Sequence, residues 1–65
     1  MENLYRAVDA AELVRVLGAQ CSPDPQRKGY VIGPDVTGCL CHVASCFSMG
    51  DAVRRAEEMN RKAKD

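Results

Sequence analysis

The chain has no tryptophan and few other aromatics, two tyrosines and one phenylalanine in 65 residues. Platforms for single-stranded nucleic acid stack successive bases on exposed aromatic rings, and Tyr5, Tyr30 and Phe47 are too few and too scattered to make one. Net charge is also missing: nine basic residues cancel nine acidic ones. No global field therefore steers the protein to a polyanion or an anionic lipid surface, and direct nucleic-acid binding is disfavoured. No apolar run approaches the roughly 20 residues that span a bilayer. The opening Met1-Glu2-Asn3-Leu4-Tyr5-Arg6 lacks the basic start and apolar core of a signal peptide. The sequence thus reads as cytoplasmic, with no membrane partner. Length is short as well. A single domain over residues 1–65 is expected, and a chain of this size buries only about 60% of its unfolded surface. Small scaffolds need reinforcement from disulfides, a metal or another chain.

Phosphate-binding glycine loops are absent too, and Gly33-Pro34 would block one. What the sequence does hold is sulfur. Three of its four cysteines and its single histidine lie in Cys39-Leu40-Cys41-His42-Val43-Ala44-Ser45-Cys46, with Cys21 further away. In a reducing compartment such a cluster is packing, metal or reactive thiol before it is a disulfide framework.

The elements around it are legible. Asp9-Ala10-Ala11-Glu12 has the form of a capping box, with Val8 and Leu13 placed as its hydrophobic staple. Ala10, Leu13, Val14 and Leu17 recur at helical spacing and Gly18 is a left-handed stop, which predicts a helix over 10–17. Residues 3–8 suit either a first strand or an earlier helical turn. Cys21-Ser22-Pro23-Asp24-Pro25-Gln26-Arg27-Lys28-Gly29 is loop chemistry. Tyr30-Val31-Ile32 predicts a strand, Asp35-Val36-Thr37-Gly38 a reversal, and 39–44 a second strand, together an antiparallel hairpin. Pro34 belongs at the strand's end or on an edge. Ser48-Met49-Gly50-Asp51 is a second cap, with Phe47 as staple. Met49, Ala52, Val53, Ala56, Met59 and Ala63 form one apolar stripe of a helix over 49–62. Arg54 with Glu58, Glu57 with Arg61, and Glu58 with Lys62 are spaced for i,i+4 pairs, and Arg61, Lys62 and Lys64 suit the helix C-terminus. The fold class expected is α+β, a helix–hairpin–helix with an optional short N-terminal strand. Two helices would cover one face of the hairpin. The other face and the edges would be wet or covered by another chain, with a homodimer as one solution.

Zinc needs four ligands converging at about 2.0–2.3 Å, and paired knuckle spacings are absent. In a strand over 39–44, Cys39 and Cys41 share one face and His42 takes the other. The preferred reading makes Cys39, Cys41 and Val43 the helix-facing side, because free cysteine behaves as a small hydrophobe; no cofactor is expected. Cys46, just ahead of the Ser48 cap, is the one thiol placed for reactivity, and Cys21 with Cys46 is the pairing open to an oxidising setting. Asp24 and Asp35 are turn-formers before they are catalysts.

In length, capped short helices, single hairpin and lack of a catalytic motif, the chain resembles the small accessory proteins of phages and mobile elements. Among these are the anti-CRISPR proteins, which bind a host effector complex and block its target recognition. The resemblance is architectural and carries over no functional residue. It implies a non-enzymatic, stoichiometric inhibitor in a bacterial cytoplasm, with a host protein or nucleoprotein complex as partner. Candidate contacts are Asp24, Arg27, Lys28, Tyr30 and Asp35 in the loops and Arg54, Glu57, Glu58 and Arg61 on the last helix, with Tyr30 as the anchor. The competing readings are a zinc- or thiol-dependent module using residues 39–46, and a nucleic-acid-binding accessory protein.

Overall fold

The structure is a computed structural model that describes residues 4–18 and 24–64. The Cys21 readings, as zinc ligand or as disulfide partner of Cys46, lie outside the described residues. The order is β1 (Arg6–Val8), α1 (Ala10–Leu17), β2 (Gly29–Pro34), β3 (Leu40–Cys46) and α2 (Met49–Lys64). The fold is α+β, with a three-stranded antiparallel sheet in the order β1-β2-β3. Of the ambiguous N-terminal stretch Arg6–Val8 is a strand, and it makes β2 central instead of leaving a lone hairpin.

Alternation along β2 explains the two layers. Tyr30 and Ile32 point to one face and pack with Val8 and with Leu13 of α1; Val31 points to the other and packs with Ala52 and Ala56 of α2. The helices lie on opposite faces, not together on one as expected. A central strand buried on both sides has to be apolar throughout, and Tyr-Val-Ile between two glycines meets that demand. The glycines serve α2. A Cβ on Gly29 would lie 2.8 Å from Ala52 Cβ and 2.9 Å from the Ser48 carbonyl carbon, and a Cβ on Gly33 would enter the Tyr5 ring. Both lie on the face of Val31, so their bare backbone lets α2 and Tyr5 come close. Pro34 closes β2, where its missing N–H costs no interior ladder bond.

Both helix starts are capped by side chains. Asp9 Oδ1 accepts from the Glu12 amide at 2.8 Å, and Ser48 Oγ accepts from the Asp51 amide at 3.2 Å. Gly18, at φ 97°, ends α1 by donating to the Val14 carbonyl at 2.7 Å. The Glu12 carboxylate pairs with Arg6 at 3.4 Å and Arg15 at 3.9 Å. The expected staple Val8–Leu13 sits in the core. Phe47, expected as the second staple, is instead 66% exposed and stacks under Arg27.

The β2–β3 register shifts between Val31 and Ile32, because Val31 faces Ala44 while Ile32 faces His42. Val43 is the extra residue of a bulge, which reverses the alternation of β3 at that point. The expected helix-facing set Cys39, Cys41 and Val43 is accordingly broken up. Cys39 precedes the strand and is exposed, Val43 is exposed at the bulge, and Cys41 alone, opposite Gly33, is half-buried toward α2. Ala44 and Cys46 take the places beside it.

Candidate functional site

Among the described residues a concavity lies where β3 runs into α2. It is a groove of about 390 Å³ lined by Arg27, Ser45, Cys46, Phe47, Asp51, Arg54, Arg55 and Glu58. Its position follows from the chain path. Ala52, Ala56 and Met59 of α2 pack on the sheet, and the flank beside them, with Asp51, Arg55 and Glu58, faces the end of β3 across the groove. Arg27 reaches it because the loop 24–28 is tied to the sheet from two sides. Lys28 N–H donates to the Cys46 carbonyl at 3.2 Å, and the Tyr30 hydroxyl lies 2.8 Å from the Asp24 carbonyl and 3.0 Å from that of Arg27. The Arg27 guanidinium carbon then sits 4.0 Å from the centre of the Phe47 ring, within the range of a cation–π contact. Three guanidinium groups face two carboxylates in this groove, and the nearest of these pairs is Arg54–Asp51 at 3.9 Å. The Arg54–Glu58, Glu57–Arg61 and Glu58–Lys62 pairs expected from spacing are not made.

The nine candidate contacts divide. The groove gathers Arg27, Arg54 and Glu58. Asp24 and Lys28 are exposed on the adjoining loop, and Glu57 and Arg61 are exposed on α2 outside the groove. Asp35 is exposed in the β2–β3 turn, at the far end of the sheet. Tyr30 is corrected outright: it is fully buried in the α1-side core and cannot anchor a partner. The exposed aromatic is Phe47, which the staple pattern had disguised as a packing residue.

The histidine makes no catalytic couple. His42 lies on the α1 face, its ring edge-on to Tyr30 with centroids 5.6 Å apart. Its Nε2 is 3.0 Å from the Ala44 carbonyl and 3.0 Å from Ser45 Oγ. A carbonyl only accepts, so the first bond requires the proton on Nε2. That nitrogen then has no lone pair to take a proton from Ser45. Cys41 and Cys46 both lie on the α2 face, so His42 shares a site with neither. Among the described residues no group of three or more His, Cys, Asp or Glu side chains is placed to hold a metal ion, and Cys39, Cys41 and Cys46 are free thiols. Among them also, no helix is long and apolar enough to cross a membrane.

No protein-family model, curated protein or solved structure matches the chain.

Proposed function

We propose that the protein is a non-catalytic binding module that seats a protein partner on the Arg27–Phe47 corner of the groove. One observation carries the reading: a large aromatic ring is left 66% exposed yet held in place by a guanidinium 4.0 Å above it. Interface energy concentrates in a few aromatic and arginine anchors. A pre-placed pair loses less side-chain freedom on binding than two free side chains do. Asp24, Lys28, Arg54 and Glu58 surround the pair with charge of both signs, which suits a polar rim. On the architectural resemblance, the partner is a host defence nucleoprotein complex of the CRISPR type and the activity is stoichiometric inhibition in the cytoplasm.

The test is phage plating on a bacterial strain with an active CRISPR defence, with and without the expressed protein, alongside titration of the purified effector. Restored plating and saturation at a fixed ratio, both lost in Phe47→Ala and Arg27→Ala, are expected. Unchanged plating removes the inhibitor reading. Saturable binding that both variants retain removes the corner as its site.

A further inference from the structure

The open edge of β3 and the flank of α2 beside it share a symmetry. The seven residues of β3, Leu-Cys-His-Val-Ala-Ser-Cys, contain no lysine, arginine, acid or proline. Natural sheets use such residues to guard an edge from pairing, and among the described residues β3 itself carries the bulge at Val43 as its guard. On α2, Asp51, Arg55, Glu58 and Lys62 are spaced four, three and four apart, so they form one stripe along the helix. Asp51, Arg55 and Glu58 line the groove on the β3 side, which places the stripe there. Its signs run minus, plus, minus, plus. Laid antiparallel against a copy of itself, the stripe sets Asp51 against Lys62 and Arg55 against Glu58, twice over. All four charges meet an opposite charge only about a centre between Arg55 and Glu58.

That centre coincides with the middle of the edge strand. Gly29 touches the start of α2 at Ser48 and Ala52 and pairs with Cys46. Tyr5, bonded to Asn60 near the other end of α2, lies over Gly33, which pairs with Cys41. Residues 52 and 60 of α2 are therefore level with residues 46 and 41 of β3, and the two midpoints fall together. The bulge sets the strand register independently. Because alternation reverses at Val43, opposed residues share a face only when a two-fold axis passes between Val43 and a neighbour. With the axis between Val43 and Ala44, Cys41 faces Cys46 of the second copy and His42 faces Ser45 of the second copy. A two-fold normal to the sheet then carries both α2 helices onto the same face, antiparallel, with their charged stripes confronting across the two merged grooves.

We propose that the occupant of this edge is a second copy of the chain, joined through antiparallel β3 strands into a six-stranded sheet and registered by Arg55–Glu58 and Asp51–Lys62 pairs between the two α2 helices. An isologous interface of this kind closes on itself and removes the open edge. The chain's zero net charge leaves no long-range repulsion to oppose it. Phe47 and Glu58 line the same groove, and in this register Phe47 falls opposite Leu40 of the second copy, so the dimer competes with a partner seated on the Arg27–Phe47 corner.

The test is sedimentation equilibrium of the full chain over a range of micromolar concentrations, with helix content followed by circular dichroism. The wild type is expected at twice its 7.1 kDa mass. Arg55→Glu and Glu58→Arg each place like charges in opposition and are expected to weaken the dimer about tenfold or more. The double exchange, Arg55→Glu with Glu58→Arg, restores opposite pairing and should restore the dimer. A wild type that stays at 7.1 kDa throughout overturns the proposal. So do single variants that dimerise as well as the wild type, and a folded double variant that dimerises no better than the singles.

Discussion

Asn60 closes on the backbone of Tyr5 as a strand would. Its Oδ1 accepts from the Tyr5 N–H at 2.8 Å and its Nδ2 donates to the Tyr5 carbonyl at 3.0 Å. One side chain of α2 thus satisfies both polar groups of the residue just ahead of β1. It also fixes where Tyr5 places its ring over Gly33.

Breaking that pair should loosen the sheet from the N-terminal side. Asn60→Ala leaves a part-buried N–H and carbonyl unmet and is expected to cost about 1–3 kcal/mol. Asn60→Asp keeps the acceptor for the Tyr5 N–H but sets a carboxylate oxygen against the Tyr5 carbonyl, so it should cost at least as much as Asn60→Ala. Urea denaturation reads both. Equal stability in wild type and Asn60→Ala would show that water replaces the bonds without loss.

The two glycines of β2 should respond differently to an added methyl group. At Gly29 a Cβ meets backbone, the Ser48 carbonyl group, together with Ala52 Cβ. Neither can retreat without moving the start of α2, and Gly29→Ala is expected to cost about 1–3 kcal/mol by overpacking. At Gly33 the obstacle is the Tyr5 ring, which can swing away. Gly33→Ala should cost less, and most of that cost should vanish in a Tyr5→Ala background. A double-mutant cycle on urea midpoints checks the coupling. Additive effects would show that the ring does not limit the glycine.

Asp35 organises the β2–β3 turn. Its Oδ1 accepts from the Thr37 hydroxyl at 2.6 Å, the Thr37 N–H at 2.8 Å and the Cys39 N–H at 3.1 Å. These bonds, the Thr37 hydroxyl first, hold its carboxyl below the ordinary carboxylate range. A pKa lower in the folded than in the unfolded chain means stability that is present above the unfolded value, about 4. It is lost as pH falls through the folded value. The unfolding midpoint should drop on acidification through this range, and the drop should be smaller in Asp35→Asn and in Thr37→Ala. An unchanged acid limb in both variants would remove the turn as its source.

How much of this was legible in the sequence depended on range. Local signals were written plainly: the Asp9 and Ser48 caps, the Gly18 stop and the Asp35–Gly38 turn are chemistry within a few residues, whereas of the apolar stripe of α2 only Ala52, Ala56 and Met59 pack on the sheet and Met49, Val53 and Ala63 are exposed. The expected helix over 10–17 is α1, residue for residue. What failed was long-range. A strand of three residues, Arg6–Val8, has too little alternation to announce itself and forms only because β2 offers it an edge. Without that third strand the two-faced burial of Tyr30-Val31-Ile32 could not be foreseen. On sequence alone Tyr30 therefore reads as a surface anchor, and both helices read as covering one face. The bulge at Val43 is likewise a property of two strands in register, and one missing step of alternation was enough to misplace Cys39 and Val43. Phe47 was misread because a staple residue and an exposed anchor occupy the same place before a cap. Only the approach of Arg27 from a distant loop separates them.

Tyr30 offers the sharpest test of how the loop is held to the core. Its ring is fully buried among Val8, Leu13 and Ile32, while its hydroxyl reaches the carbonyls of Asp24 and Arg27. Tyr30→Phe keeps the packing and removes only the oxygen, so the expected cost is about 1 kcal/mol. Tyr30→Ala also removes the ring and should cost about 3–5 kcal/mol, enough to unfold a domain this small. The informative variant is the phenylalanine. With the carbonyls released, loop 24–28 is expected to move more freely, amide exchange at Gln26 and Arg27 to quicken, and Arg27 to leave the Phe47 ring. Nuclear magnetic resonance reads this as a return of the Arg27 side-chain shifts toward those of a free arginine, as the ring current is lost. If those shifts stay in place in Tyr30→Phe, the corner is held by the Lys28–Cys46 backbone bond, and the hydroxyl serves only the loop beyond it.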